Sequence, residues 1–355
     1  MTKPFLTKKI TKTMTAYFDK KHDFLELYDS KDDLYIRKMS VKENKESFTR
    51  SFPAFLIISI VGGCKIKDSC YLDCCAGKKE YDEHKNMTYS SFVKIINEGA
   101  QKGLLSIVLT GSGDPNDHPD FERIVSYAKS KGLYITCMTT GTTLTLKDID
   151  FFKKNIDRVE FNLLCGNENS LKSFIAFMKE DIELYLNILV SHLSLDETIH
   201  FLNSGILEFD DKDKKLRFRG NNPIGKLDAI SLKLYKRKGL GTLSGCVSEK
   251  QEDLLKSFVN TLKRKRFADI IFEPCFKSLL EKYIKKEHNV YIPPCEQGRY
   301  SAFITEDLLM LPCEFSSVEK YGESLRNKNI EEIFNGKKFN EYRNHFTECK
   351  CLKGV

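Results

Sequence analysis

From Ala54 onward the chain alternates short apolar runs with stretches of helical periodicity, the pattern of strand–helix–strand units built around a parallel sheet. Strands are predicted at 55–61, 104–110, 134–139, 158–163, 185–190 and 229–234, all short and rich in Ile, Val and Leu. Between the first two, 90–102 reads as a helix with Phe92, Ile95, Ile96 and Ala100 on one face and Gly103 as its stop. A second helix is predicted at 119–130, opening on proline. A repeat of about 25 to 40 residues per unit suits right-handed crossovers, which place chemistry at the C-terminal ends of the strands.

Outside this span the pattern changes. Residues 1–53 are polar and lysine-rich, with scattered aromatics such as Phe18, Phe24 and Tyr28, and read as a short helical or extended lead-in. Residues 54–240 form the core. Past Gly239 the alternation weakens into a lysine-rich helical stretch, 248–266, and then into segments punctuated by cysteine and proline, so that 241–355 is a second region. No repeat of fixed period and no low-complexity tract interrupts the chain.

The 355 residues suffice for one large α/β domain with a small appendage, or for two medium domains. The longest apolar run, 54–61, is less than half of the roughly 20 residues a membrane span needs, so no transmembrane helix is expected. The first 25 residues carry no continuous apolar stretch and no small-residue cleavage site, which points to the cytoplasm. There 12 cysteines are more than a core needs and are not expected to pair as disulfides, which leaves metal binding as the leading use for them. The net charge of +7 is 57 Lys and Arg set against 50 Asp and Glu spread along the whole chain, as on solvated helix faces. No dense basic stripe interleaved with aromatics marks a nucleic-acid surface.

The densest signal follows the first predicted strand. GGCKIKDSCYLDCCAG, 62–77, packs Cys64, Cys70, Cys74 and Cys75 into 12 positions. Thiolates are soft ligands suited to iron–sulfur clusters or zinc, and a short loop can wrap several around one centre. Zinc sites favour two CxxC-type pairs, and none occurs here. Three ligands on a four-iron cluster would leave one iron open to a cofactor. After the second strand comes TGSGDPNDHPDF, 110–121, in which Gly111 and Gly113 let backbone approach a ligand closely and Asp114 offers a carboxylate to an ammonium group.

A cysteine loop after strand one, GSGDP after strand two and HPDF opening the next helix together resemble the radical S-adenosylmethionine (SAM) superfamily. Its CxxxCxxC loop follows the first strand of a partial (β/α)6 TIM barrel. The spacing here departs from that pattern, with five residues between Cys64 and Cys70, three between Cys70 and Cys74, and Gly77 where the usual third cysteine would stand. The resemblance implies a SAM-binding 4Fe-4S cluster on Cys64, Cys70 and either Cys74 or Cys75, since adjacent thiolates seldom both face one metal. It implies that Gly111, Gly113 and Asp114 receive the amino group of SAM, Asp114 being a shorter stand-in for the family's more usual Glu. Asn162, at the end of the fourth strand, and Ser191 or His192, after the fifth, are the matching candidates for the rest of SAM. MTTGTTLT, 138–145, resembles the polar turn beneath it and reads equally as a plain turn with a threonine N-cap.

The C-terminal region resembles the SPASM or shorter twitch extension of the same superfamily. Cys295 opens CEQGRYSAFITEDLLMLPCEF, a predicted hairpin of strands 300–305 and 308–311 with Glu306 and Asp307 at the turn, and Cys313 follows the proline after it. A helical stretch, 330–343, leads to ECKCLKG with Cys349 and Cys351. These four cysteines imply one auxiliary 4Fe-4S cluster. Cys275, in FEPCF, reads as a substitute ligand, a hydrogen donor near substrate or a buried small hydrophobe. Cys137, Cys165 and Cys246 read as structural.

The resemblance implies a radical SAM enzyme with a small C-terminal SPASM/twitch-like region, reductive SAM cleavage, and a 5'-deoxyadenosyl radical that abstracts a substrate hydrogen. A reducing donor such as flavodoxin or ferredoxin is the implied partner. Modification of a peptide or protein is the first expectation. A small-molecule dehydrogenase or rearrangement enzyme is the second, and a non-catalytic or nucleic-acid-directed Fe-S protein the third.

Overall fold

The computed structural model describes residues 5–19, 24–29, 31, 34–39, 49–67, 82–164, 167–191, 194–203, 207–210, 215–218, 227–235, 247, 251–264, 270–280, 283–284, 292, 295 and 297–345. In the lead-in, β1 (Phe5–Lys9), β2 (Met14–Asp19), β3 (Phe24–Asp29) and β4 (Leu34–Met39) form a four-stranded antiparallel meander in chain order. This is the extended alternative, and more than a lead-in. The period-2 alternation of β3 shows why: Glu26 and Tyr28 are buried, while Leu25 is exposed and Leu27 half-buried.

The core strands are β5 (Phe55–Val61), β6 (Ser106–Gly111), β7 (Tyr134–Thr139), β8 (Arg158–Phe161) and β9 (Glu183–Val190). After them β10 (Leu207–Asp210) and β11 (Lys215–Phe218) pair antiparallel apart from the main sheet. Then follow β12 (Ala229–Leu234), β13 (Ile270–Phe272), β14 (Ser301–Ile304), β15 (Leu309–Leu311) and β16 (Glu323–Ser324). The main sheet has ten strands among the described residues, in the order β13-β12-β9-β8-β7-β6-β5-β14-β15-β16, and is parallel from β13 through β14. The six predicted core strands are present, and the C-terminal region adds four more to the same sheet. The predicted hairpin is β14 and β15, turning through Leu308 at φ 71, a left-handed backbone without the usual glycine.

Helices α1 (Tyr89–Lys102), α2 (Phe121–Ser130), α3 (Leu146–Asn155) and α4 (Glu168–Phe177) cross between successive strands. Helix α1 starts where the Thr88 hydroxyl accepts from Ser91 N, and ends at Gly103, whose φ of 86 needs no Cβ. One face of the sheet packs on these helices. Leu56, Ile58, Ile107, Leu109, Ile135, Val159, Phe161, Leu184, Leu186, Ile230 and Leu232 lie in one apolar cluster with Phe92, Ile124, Phe152, Phe174 and Phe177. The other face is concave and polar: Thr136, Arg158, Glu160, Tyr185, Asn187, Ser231 and Lys233 share it by register.

The N-terminal meander sits at the starts of the core strands. Glu26 and Arg50, both fully buried, form a bidentate pair at 2.6 and 2.7 Å, and Arg50 Nη1 also donates to Gly103 O. Tyr28 packs with Ala54, Leu105 and Tyr134. Helix α5 (Leu195–Asn203) follows β9, and α6 (Glu252–Arg264) and α7 (Lys277–Leu280) flank β13. Helices α8 (Val318–Tyr321), α9 (Ile330–Phe334) and α10 (Lys337–His345) finish the described chain; the predicted 330–343 helix breaks at Gly336. Among the described residues no helix is long and apolar enough to cross a membrane.

Candidate functional site

The sequence-predicted residues that the structure describes collect where the core strands end. Val61, Gly62 and Gly63 lead β5 into Cys64, which is partly exposed. Cys70, Cys74 and Cys75 lie outside the described residues. Next to Cys64 runs the loop after β6. A Cβ added at Gly113 would fall 2.4 Å from Gly63 O and 2.9 Å from Cys64 Cα, and one at Gly111 would fall 2.8 Å from Gly113 O. Both glycines are therefore required by close backbone approach, and they form a side-chain-free cradle against the base of the cysteine loop.

Three contacts fasten the cradle. Lys65 Nζ reaches buried Asp117 at 3.1 Å, tying the cysteine loop to the turn after β6. His118, also buried, meets Met87 O through Nε2 at 2.7 Å, while its Nδ1 accepts from Asp120 N at 2.9 Å. That arrangement uses a neutral ring, and burial pushes its pKa below the usual histidine range. Asn86 Oδ1 accepts from Gly62 N at 3.0 Å.

Asp114 is 7% exposed and its carboxylate holds the turn after β7. Oδ1 accepts from Thr140 N at 2.8 Å, and Oδ2 accepts from the Thr140 and Thr139 hydroxyls at 2.8 and 3.2 Å. Burial raises its pKa to about 6, against the pull of those hydrogen bonds. The sequence marked 138–145 as a polar turn, but gave no signal that Thr139 and Thr140 partner Asp114.

Asn162 follows β8 and accepts through Oδ1 from Asn187 Nδ2 at 3.0 Å. Ser191 follows β9, where it and Ser194 exchange backbone-to-hydroxyl bonds of 2.9 and 3.0 Å, so its hydroxyl already serves the turn into α5. His192 lies outside the described residues. Sequence reasoning missed Glu160, Asn187 and Lys233, deeper on the concave face, because each sits inside a strand that reads as apolar. Lys233 Nζ pairs with Glu160 Oε2 at 3.0 Å.

The second group of cysteines, hereafter the seam, is drawn from opposite ends of the strand order. Cys275 leaves β13 on one edge, while Cys313 leaves β15 next to the other. Burial pushes the Cys313 thiol up, and Cys275 and Cys295 lie near enough to disfavour its charge a little further. Phe315 N donates to Cys313 Sγ at 3.4 Å, the kind of bond that steadies a thiolate ligand. Glu314, next in the chain to Cys313, lies near enough to Lys233 to favour its charged form. Among the described residues no three His, Cys, Asp or Glu side chains are drawn together at metal-holding distances. The seam donors are all thiols, the chemistry an iron–sulfur centre takes. Cys349 and Cys351 lie outside the described residues, as do Cys165 and Cys246. Cys137 is fully buried in the helix-packed core, as a structural cysteine should be.

Comparison with known proteins adds the following. Residues 60–190, from the end of β5 through β9, match the model of the Radical SAM superfamily. The S-adenosylmethionine-dependent nucleotide dehydratase of Selenomonas ruminantium is 23% identical over 157 residues, which are 38% of this chain and 57% of that protein. The chain thus spans little more than half the length of that curated relative. The structure of Streptococcus suis SuiB bound to precursor peptide SuiA superposes with a TM-score of 0.63 at 13% identity, over 99% of this chain and 92% of the other. Native anSMEcpe with bound AdoMet gives a TM-score of 0.57 at 15% identity, over 82% of each chain. At such identities the two structures share a fold with this chain.

Proposed function

We propose, on the match of residues 60–190 to the model of the Radical SAM superfamily, that this chain is a two-cluster enzyme that cleaves SAM reductively to modify a peptide or protein. The observation that carries this reading is the glycine cradle packed against Cys64 at the mouth of a polar, concave sheet. Bound SAM and its reducing cluster would supply a 5'-deoxyadenosyl radical for hydrogen abstraction.

The chain's own residues would do the rest. Cys64 and Cys70, with Cys74 or Cys75, hold the first cluster. The backbone at Gly111 and Gly113 receives the methionine part of SAM. Asp114 keeps that loop fixed to the turn after β7, and one acceptor position on Oδ1 is left over from its three bonds for the ammonium group. Asn162 and Ser191 line the path toward the ribose. Cys295 and Cys313, with Cys275 and one of Cys349 or Cys351, hold the auxiliary cluster at the seam. Region 241–355 is then the twitch-like part, and a small electron donor such as flavodoxin or ferredoxin reduces the enzyme in the cytoplasm.

A peptide substrate is favoured by the breadth of the fold likeness to SuiB, which extends through the N-terminal meander. The test is reconstitution with iron and sulfide without oxygen, dithionite reduction, and assay of 5'-deoxyadenosine beside an iron count. The natural chain should bind about eight irons and form the nucleoside, and Cys313→Ala should fall to about four irons. No cleavage under strong reduction, or unchanged iron in the variant, would remove the two-cluster reading.

A further inference from the structure

Below the proposed SAM site the concave wall holds a polar group that none of the roles above uses. Glu160 of β8, Asn187 of β9 and Lys233 of β12 meet there. Lys233 Nζ is 3.0 Å from Glu160 Oε2, Glu273 and Glu314 lie near enough to favour its charged form, and Arg158, paired with Glu183 at 3.1 Å, is a second cation beside Glu160, so that four carboxylates stand against two cations. The surplus is negative.

Asn187 supplies an independent observation. Its Nδ2 donates to Asn162 Oδ1 at 3.0 Å and approaches Glu160 Oε2 at 3.4 Å. Glu160 can only accept, which favours this orientation of the amide, since the flipped group would set its oxygen against a carboxylate oxygen. Oδ1 must then face away from them, toward β12. There it is buried without a hydrogen-bond donor among the described residues, on a side chain 8% exposed. A bare buried acceptor is costly, and buried polar groups are rarely left so.

Two large apolar side chains stay open on this wall. Leu189, the register partner of Lys233, is 42% exposed, and Ile271, the partner of Ser231, is 38% exposed. On the opposite face of the same strands the apolar residues are buried or half-buried. An apolar strip beside a surplus of acceptors complements a long aliphatic stem with a cationic head, which buries its methylenes while its charge finds oxygen.

We propose that the wall around Glu160, Asn187 and Lys233 is the subsite for a lysine or arginine side chain of the substrate, its stem on Leu189 and Ile271 and its cation against Asn187 Oδ1 and the carboxylates. This rests on the peptide-modifying reading above and narrows it to substrates with a long basic side chain.

Equilibrium dialysis of the reconstituted enzyme with SAM tests it, using acetyl-glycyl-lysyl-glycinamide and its norleucyl and glutamyl counterparts. The lysyl probe should bind about tenfold more tightly than the norleucyl one, and the glutamyl probe most weakly. Glu160→Gln and Asn187→Leu should each bring the lysyl and norleucyl probes to within about threefold of each other. Equal binding of the three probes by the natural chain overturns the proposal, whether or not the variants fold. A lysyl preference retained by both folded variants overturns it too. Nucleoside formation from SAM in the same samples separates the two readings: its absence refutes the radical chemistry, while its presence without a lysyl preference refutes only the subsite.

Discussion

On β9, Leu186 and Leu189 are three positions apart and have opposite fates. Leu186 turns to the helices and is 5% exposed, whereas Leu189 turns to the concave side and is 42% exposed. The neighbouring strands repeat the division, with Val159 and Phe161 beside Glu160 on β8, and Leu232 beside Lys233 on β12. Because side chains alternate along a strand, one short segment can build the core with one set of residues and a reaction chamber with the other. Stability and chemistry are thereby separated by a single step along the chain.

The largest expected effect tests that separation directly. Leu186→Ala should cost about 2–5 kcal/mol in chemical denaturation, while Leu189→Ala should cost less than about 1 kcal/mol. Similar losses at both positions would break the contrast.

Next comes the buried carboxylate at the chamber's rim. Asp114 has a folded pKa of about 6, above the ordinary carboxylate value, so the stability it gives is present in acid and is lost as pH rises through 6. Asp114→Asn should therefore gain on the natural chain between pH 4 and 7, by about 2–3 kcal/mol in paired denaturation curves. His118 acts with the opposite sign, since its lowered pKa makes stability fall as pH drops. It is common to both chains and cancels in the difference. A gap that stays flat with pH would contradict the burial assigned to Asp114.

A smaller effect is expected at the cradle. Gly113→Ala must push the loop off Gly63, and SAM affinity measured by equilibrium dialysis should weaken by about tenfold or more. Unchanged affinity would detach the cradle from SAM. The smallest effect serves as a control: Lys172→Ala, which removes an exposed pair with Glu168 on α4, should leave the melting temperature unchanged within error.

The sequence made the helix-packed face legible, because Ile, Val and Leu runs of strand length state their own burial. Predicted strands at 55–61, 134–139 and 229–234 match β5, β7 and β12 to the residue. The concave face was hidden by the same runs: Glu160 and Lys233 look like interruptions in apolar strands until register sets them side by side. The meander β1–β4 escaped notice because its alternation carries a buried Glu26 whose partner, Arg50, lies 24 residues away. The seam was legible only in part: a substitute ligand was one of three readings open for Cys275, and it takes the fold to set it near Cys313, since the two leave different strands, β13 and β15.

The most direct measurement of the central claim is 5'-deoxyadenosine formation by the reconstituted, dithionite-reduced chain beside Cys64→Ala with an unchanged melting temperature. The account predicts nucleoside from the natural chain and none from the variant. No nucleoside from the natural chain with iron bound, or undiminished formation by the variant, would contradict it.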